Sequence, residues 1–225
     1  MTASENHTFF WQPAPAVSLP LPGSIHLFLV NLDHLVSEQD SGFSPEEVRR
    51  LGRYHFAKDR NRFASARAAL REILASYLQC RPGEVSLVAG PHGKPSLTVN
   101  HPLRFNLSHS GHHMLLAVTT GSEVGVDLEM VREDMEMEPL AEHYFSPAQQ
   151  WEFRIARGRE RVWKFFEIWT AIEARLKAGG KGLIGHSEPP DERWNIRHLR
   201  IVDRFAASIA TEHPEPRLEC WTWPS

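Results

Sequence analysis

Two hydrophobic rhythms alternate along the chain. Residues 23–33, GSIHLFLVNLD, are a dense run of strand formers behind a Pro-Gly break and predict a β-strand. Ser44, Pro45 and Glu47 then spell a capping box with proline in the first turn, which predicts a helix running to about Phe56. From Asp59 to Leu78 the apolar residues Phe63, Ala66, Leu70, Ile73, Leu74 and Tyr77 recur at helical spacing, with Arg60, Arg62, Arg67 and Arg71 between them. Arg81-Pro82-Gly83 ends that helix. EVSLVAG and KPSLTV, on either side of Pro91-His92-Gly93, predict a hairpin, and HHMLLAVTT (112–120) and EVGVDLEM (123–130) predict two further strands.

The later part of the pattern resembles the earlier part. Phe43-Ser44-Pro45 returns 102 residues on as Phe145-Ser146-Pro147, again with a capping partner, Gln149. At the same offset Phe63 falls on Phe165, Ala69 on Ala171, Leu70 on Ile172 and Leu74 on Leu176; VNLD (30–33) also resembles VDLE (126–129), at the slightly different offset of 96. Two explanations are open: amphipathic helices with Ser-Pro starts look alike, or the chain is a pair of similar α+β halves. The second places the junction near Thr119–Glu123, which divides the chain into 1–120 and 121–225, with a ligand cleft between the halves.

Composition narrows the function classes. With 225 residues, 41% hydrophobic and 24% charged, the chain suits a soluble globular protein of one large domain or two small ones. A net charge of −3 provides no general field for nucleic acid or a membrane surface. Cys80 and Cys220 stand far apart, which suits a reducing cytoplasm and indicates neither a disulfide framework nor a thiolate metal site. The prolines at 13, 15, 20 and 22 do not make a signal peptide, and no apolar run reaches the roughly 20 residues a membrane helix needs.

Three stretches carry chemistry. In VGVDLE, Asp127 and Glu129 alternate along a strand and so share a face, which is either a solvated acidic edge or a site for a hard cation such as Mg²⁺. In FNLSHSGHH, Ser108, His109 and Ser110 precede a strand and read as a polar loop that grips an anion; the surroundings suit neither a serine nucleophile nor a zinc site. In WTAIEARLK, Glu173 and Lys177 lie one helical turn apart, and as a solvated pair they would contribute only about 0.2–0.5 kcal/mol. PHGKP and GGKGL lack the spacing of a phosphate-binding P-loop, yet Lys94, Arg50, Arg62 and Arg67 are all able to meet a phosphate.

Taken in order, RYHFAKDRNRFASARAALREIL, HGKPSL, FNLSHS, VGVDLE, FSPAQQWEF and WTAIEARLKAGGKGL resemble the Sfp-type 4'-phosphopantetheinyl transferases over residues 44–183. The resemblance implies an α+β fold of two pseudo-twofold halves with coenzyme A in the cleft, the first half contacting its phosphates and the second carrying metal carboxylates. It implies Asp127, Glu129 and Glu173 as Mg²⁺ ligands, and Lys94, Pro95, Ser108, His109, Asp127 and Lys177 as contacts of coenzyme A. Arg50 and Arg62 would sit near its 3'-phosphate and adenine end. The implied reaction transfers the phosphopantetheine arm to a serine of an apo acyl or peptidyl carrier protein and releases adenosine 3',5'-bisphosphate, with Glu173 as base and Lys177 on the leaving phosphate. A monomer follows from the same resemblance. Two positions depart from the family pattern: Ile172 stands where a lysine is usual, and Glu47 where some relatives carry a basic residue. Ile172 removes an expected cation from the pyrophosphate and opens an alternative, a relative that binds coenzyme A or a carrier protein without turnover. Lys164 and Lys181 are candidate replacements for the missing charge.

Overall fold

The computed structural model describes residues 11–33, 42–180, 192–201 and 204–224. The elements of the first part are β1 (Gln12–Pro13), β2 (Ser24–Asn31), α1 (Pro45–Leu51), α2 (Ala57–Leu78), β3 (Leu87–Ala89), β4 (Pro95–Leu97), β5 (Leu103–Ser110) and β6 (His113–Thr120). The second part has β7 (Val124–Met130), α3 (Met137–Tyr144), α4 (Pro147–Ile155), α5 (Gly158–Ala178), β8 (Asn195–Arg200), β9 (Phe205–Thr211) and β10 (Arg217–Trp223).

The protein is α+β, and the repetition seen in the sequence recurs in the topology. β2, α1, α2 and the β5–β6 pair correspond to β7, α4, α5 and the β8–β9 pair. Strand order is β2-β6-β5 in one sheet and β7-β9-β8 in the other, and every one of these pairings is antiparallel. Ser44 and Ser146 both accept a backbone N–H in their capping boxes, closed by Glu47 and Gln149. β10 breaks the correspondence. It crosses to the first sheet and runs parallel to β2, with β1 on its outer side.

The layers follow from which faces are apolar. β2 is buried on both sides, which accounts for its nearly continuous apolar run. Phe28 and Val30 pack on Leu70, Ile73 and Leu74 of α2, while Ile25 and Leu27 meet Val126, Leu128 and Ile209 of the second sheet. α5 covers the outer face of that second sheet through Ala174 and Ala178 against Ala210. The contact is close at Gly125: a Cβ there would lie 2.1 Å from the Ala174 carbonyl oxygen and 2.3 Å from the Ala178 nitrogen. Only glycine lets β7 approach the helix so closely.

Two expectations need correction. α1 ends at Leu51 with Gly52 as its C-cap, short of Phe56, and Phe56 is extended backbone that leads into α2. Ser108, His109 and Ser110 form no loop: they end β5, and the turn into β6 is made at Gly111, whose φ of +59° favours glycine. Lys181, with the end of GGKGL, lies outside the described residues. Among the described residues no helix is long and apolar enough to cross a membrane.

Candidate active site

A cleft of about 420 Å³ lies between the halves. β5, β7 and α5 form one wall, α1 and α2 supply the other, and the tip of the β3–β4 hairpin forms the rim.

β5 builds the first wall by presenting alternate side chains to β7, as the two-residue period of a strand requires. The buried Asn106 accepts the Val126 N–H at 2.8 Å, and so takes the place of a ladder partner between the two sheets. Ser108 Oγ donates to Asp127 Oδ1 at 2.8 Å, and Ser110 Oγ donates to Glu129 Oε2 at 2.8 Å while accepting the Met130 N–H at 3.0 Å. α5 contributes Trp169, Glu173 and Lys177, spaced four apart on its cleft face. Lys177 Nζ lies 2.6 Å from Asp127 Oδ1 and 2.9 Å from Ser108 Oγ, so the Glu173/Lys177 pair belongs to the cleft and not to a solvated helix surface.

The electrostatics of this wall are strained. Burial and the neighbouring Asp127 charge raise the Glu129 pKa, with the Ser110 hydrogen bond opposing. Burial, Asp127 and Glu129 push Glu173 up to about 7, although Lys177 pulls it down. Asp127 is 2% exposed, and its Oδ2 is buried without a hydrogen-bond partner. Among the described residues these carboxylates are not drawn into a closed metal-binding cluster. Their chemistry still fits a hard cation: the donors are all oxygens, one buried oxygen is orphaned, and mutual repulsion awaits a positive charge.

The opposite wall is cationic. The Phe63 ring packs against two guanidiniums, that of Arg50 4.8 Å from its centroid and that of Arg67 at 5.3 Å. Glu47 accepts from Arg71 at 2.6 Å and pairs with Arg67 at 3.4 Å. Burial would raise the Glu47 pKa, but the Arg71 hydrogen bond, the Ser44 backbone and the charges of both arginines bring it below the usual carboxylate range. His109, from β5 on the first wall, is exposed along the open cleft, yet the protein crowded around it and then the charges of Lys177, Arg67 and Arg50 lower its pKa.

The cleft therefore collects Arg50, Lys94, Pro95, Ser108, His109, Asp127, Glu129, Glu173 and Lys177. Arg62 is not among its lining residues, because Asp33 holds its guanidinium through contacts of 2.7 and 3.1 Å. Lys94 lines the rim, but its ammonium is engaged by Glu123, Val124 and Ala178 oxygens. Phe63, His92, Asn106 and Trp169 also line the cleft and were not anticipated. Stepping back four residues from Glu173 would have found Trp169.

Family models and relatives of known name match most of the chain. Residues 36–121 match a family model described as 4'-phosphopantetheinyl transferase, N-terminal, and residues 123–222 match the 4'-phosphopantetheinyl transferase superfamily model. The chain is 36% identical over 219 residues to the 4'-phosphopantetheinyl transferase HetI of Nostoc sp., covering 89% of this chain and 92% of HetI. It belongs to the 4'-phosphopantetheinyl transferase superfamily. A provisionally named 4'-phosphopantetheinyl transferase of Synechocystis sp., slr0495, is 39% identical over 154 residues, a match that spans 66% of this chain and 62% of the relative. The 4'-phosphopantetheinyl transferase AcpT of Escherichia coli is 32% identical over 154 residues, 68% of this chain and 69% of AcpT.

Both departures from the superfamily pattern acquire a physical account. Ile172 is 1% exposed and packs in a cluster with Phe165, Phe166 and Phe153, on the side of α5 away from the cleft. Its aliphatic side chain fills core, and the expectation of an uncompensated gap beside the pyrophosphate is corrected. Lys164, offered as a replacement cation, pairs instead with Glu167 at 2.9 Å and does not line the cleft. Glu47 acts as the acceptor that holds Arg67 and Arg71 in place.

Proposed function

We propose that this chain transfers the 4'-phosphopantetheine arm of coenzyme A to a serine hydroxyl of an apo acyl or peptidyl carrier protein, in a Mg²⁺-dependent reaction that releases adenosine 3',5'-bisphosphate. The observation that carries this reading is the opposition, within one cleft, of Arg50 and Arg67 to the group of Asp127, Glu129, Glu173 and Lys177. A phosphate-rich ligand suits the first set, and phosphoryl transfer suits the second. α1 and α2 would then supply the binding wall, and β5, β7 and α5 the reacting wall.

Arg50, Arg67 and His109 orient the anionic nucleotide end of the substrate. Asp127, Glu129 and Glu173 would hold the Mg²⁺, which when bound neutralises charge on the pyrophosphate oxygens. Glu173, whose carboxyl is raised to about 7 in the metal-free cleft and which a bound cation would keep ionised, takes the proton of the carrier serine. The serine oxygen forms the new O–P bond while the bond from phosphorus to the bridging oxygen breaks, and the electron pair leaves with adenosine 3',5'-bisphosphate. Lys177, already among the cleft oxygens, turns to the charge that develops on that leaving phosphate.

The non-catalytic alternative was motivated by Ile172 and lost its motive with that residue in the core. One chain supplies both walls of the cleft, which supports a monomer, and the cysteine usage supports a cytoplasmic setting. The test is incubation of the protein with coenzyme A, Mg²⁺ and a panel of apo carrier proteins. A mass gain of one phosphopantetheine arm on a carrier serine is expected; no gain on any carrier overturns the proposal.

A further inference from the structure

Lys94 sits on the rim of the cleft, where a lysine suggests a phosphate ligand. Its surroundings suggest a different task. Nζ lies 2.7 Å from Glu123 Oε2, 3.1 Å from the Ala178 carbonyl oxygen and 3.2 Å from the Val124 carbonyl oxygen. An ammonium has three N–H donors, so each one has an acceptor within the protein. The side chain is 19% exposed, which leaves little of it for a ligand to meet.

The acceptors belong to three different places: Glu123 to the short link between the halves, Val124 to the start of β7, and Ala178 to the last residue of α5. Ala178 offers one of the carbonyls that a helix leaves unpaired at its C-terminus, where positive charge is favourable. A side chain from the first half thus clips together the two elements of the second half that carry Asp127, Glu129, Glu173 and Lys177. The seam it closes is the tight one at Gly125, where no side chain fits between β7 and the backbone of Ala174 and Ala178. Sliding α5 by even a fraction of a turn would change the reach of Glu173 and Lys177 to Asp127.

We infer that Lys94 is a positioning residue, a clasp that sets α5 against β7 and so fixes the spacing of the reacting side chains, and that it is not a ligand of the substrate phosphates. The kinetic consequence rests on the transferase reading; the structural consequence does not. The charged groups that face this lysine are Glu123 and, through Glu123, Arg104, whose Nε is 3.2 Å from Glu123 Oε1. Glu123 is not among the residues lining the cleft, so its replacement changes the clasp without touching a bound nucleotide.

The experiment is a double-mutant cycle of Lys94→Met and Glu123→Gln, read by steady-state kinetics and by amide hydrogen exchange. Lys94→Met is expected to lower kcat about tenfold while KM for coenzyme A stays within about twofold, the signature of misplaced reacting groups. Glu123→Gln should act in the same direction more weakly, and the double variant should be no worse than Lys94→Met alone, because the two residues share one interaction. Amides in the last turn of α5 should exchange several-fold faster in Lys94→Met. A rise in KM of tenfold or more with kcat unchanged, additive effects in the cycle, or unaltered exchange in α5 would overturn the inference. If the wild-type protein modified no carrier, the transferase reading would fail, and the exchange measurement would still decide the clasp.

Discussion

The two walls of the cleft are built on opposite plans. The cationic wall uses long side chains from α1 and α2, with Arg50 and Arg67 resting on the Phe63 ring and Glu47 tethering Arg67 from behind. Arg50 reaches solvent, whereas Arg67 is only 18% exposed and is held by Glu47. The carboxylate wall uses short or rigidly supported side chains, with Asp127 buried and Ser108 and Ser110 hydrogen-bonded to the carboxylates from the next strand. The difference teaches that the binding charges rest on an aromatic ring and a carboxylate tether, whereas the carboxylates that react are crowded together and held by hydroxyls of the neighbouring strand. In the metal-free cleft, desolvation is the largest cause that moves Glu173 to about 7.

If that contrast is right, the deepest effect comes from the carboxylate wall. Asp127→Ala removes the acceptor shared by Ser108 and Lys177 and should lower kcat at least about 10³-fold, measured by carrier modification on a variant shown to be folded. A loss confined to KM would erase the distinction between the walls. Ile172→Lys comes next and tests which side of α5 belongs to the cleft. A lysine forced into the cluster around Phe165 and Phe166 should cost roughly 3–5 kcal/mol of stability, read from the urea midpoint. If it gained transfer activity at unchanged stability, position 172 would belong to the cleft after all. Arg67→Ala should raise KM for coenzyme A about 10–100-fold with kcat within a few-fold, since it removes a charge-assisted contact.

The smallest effect is in pH dependence, where two groups of the cleft, Glu173 and His109, titrate in opposite senses. For Glu173 the folded carboxyl is raised to about 7 from 4.5, so in chelator its stability contribution is full below pH 4.5 and is lost as pH rises to about 7. The folded pKa of His109 lies below 6.5, so its contribution is full above 6.5 and is lost as pH falls below that value. Thermal unfolding scanned across pH should show Glu173→Gln flattening the alkaline-going loss and His109→Gln flattening the acid-going one. A shift of the same sign in both variants would remove the contrast.

Much of this architecture is legible from local chemistry. The Ser-Pro starts of α1 and α4 announce themselves because capping uses side chains within three residues of one another. Asp127, Glu129, Glu173 and Lys177 are readable because strand and helix periods place them on shared faces. What escaped depends on partners distant in sequence. β5 looked like a polar loop because Asn106, Ser108 and Ser110 alternate with residues of the opposite face, and their polarity makes sense only with β7 beside them. The orientation of Ile172 depends on the rotation of α5 against a core that includes Phe145 after α3, Phe153 of α4 and two phenylalanines of the helix itself, which a motif alignment does not encode. Arg62 resembled a phosphate ligand as much as Arg67 did, and only the proximity of Asp33 separates them.

The parallel pairing of β10 with β2 also bears on how the molecule is made. During synthesis β2 emerges early, and its neighbour on that side arrives only with residues 217–223, roughly ten to forty seconds later at ordinary ribosomal speeds. For that interval the nascent first sheet carries an open, strongly apolar edge, the kind of surface on which unfinished chains associate. A stop codon before Arg217 would therefore leave β2 unpaired on that side for good, and the expected phenotype of such a truncation is insolubility before it is inactivity.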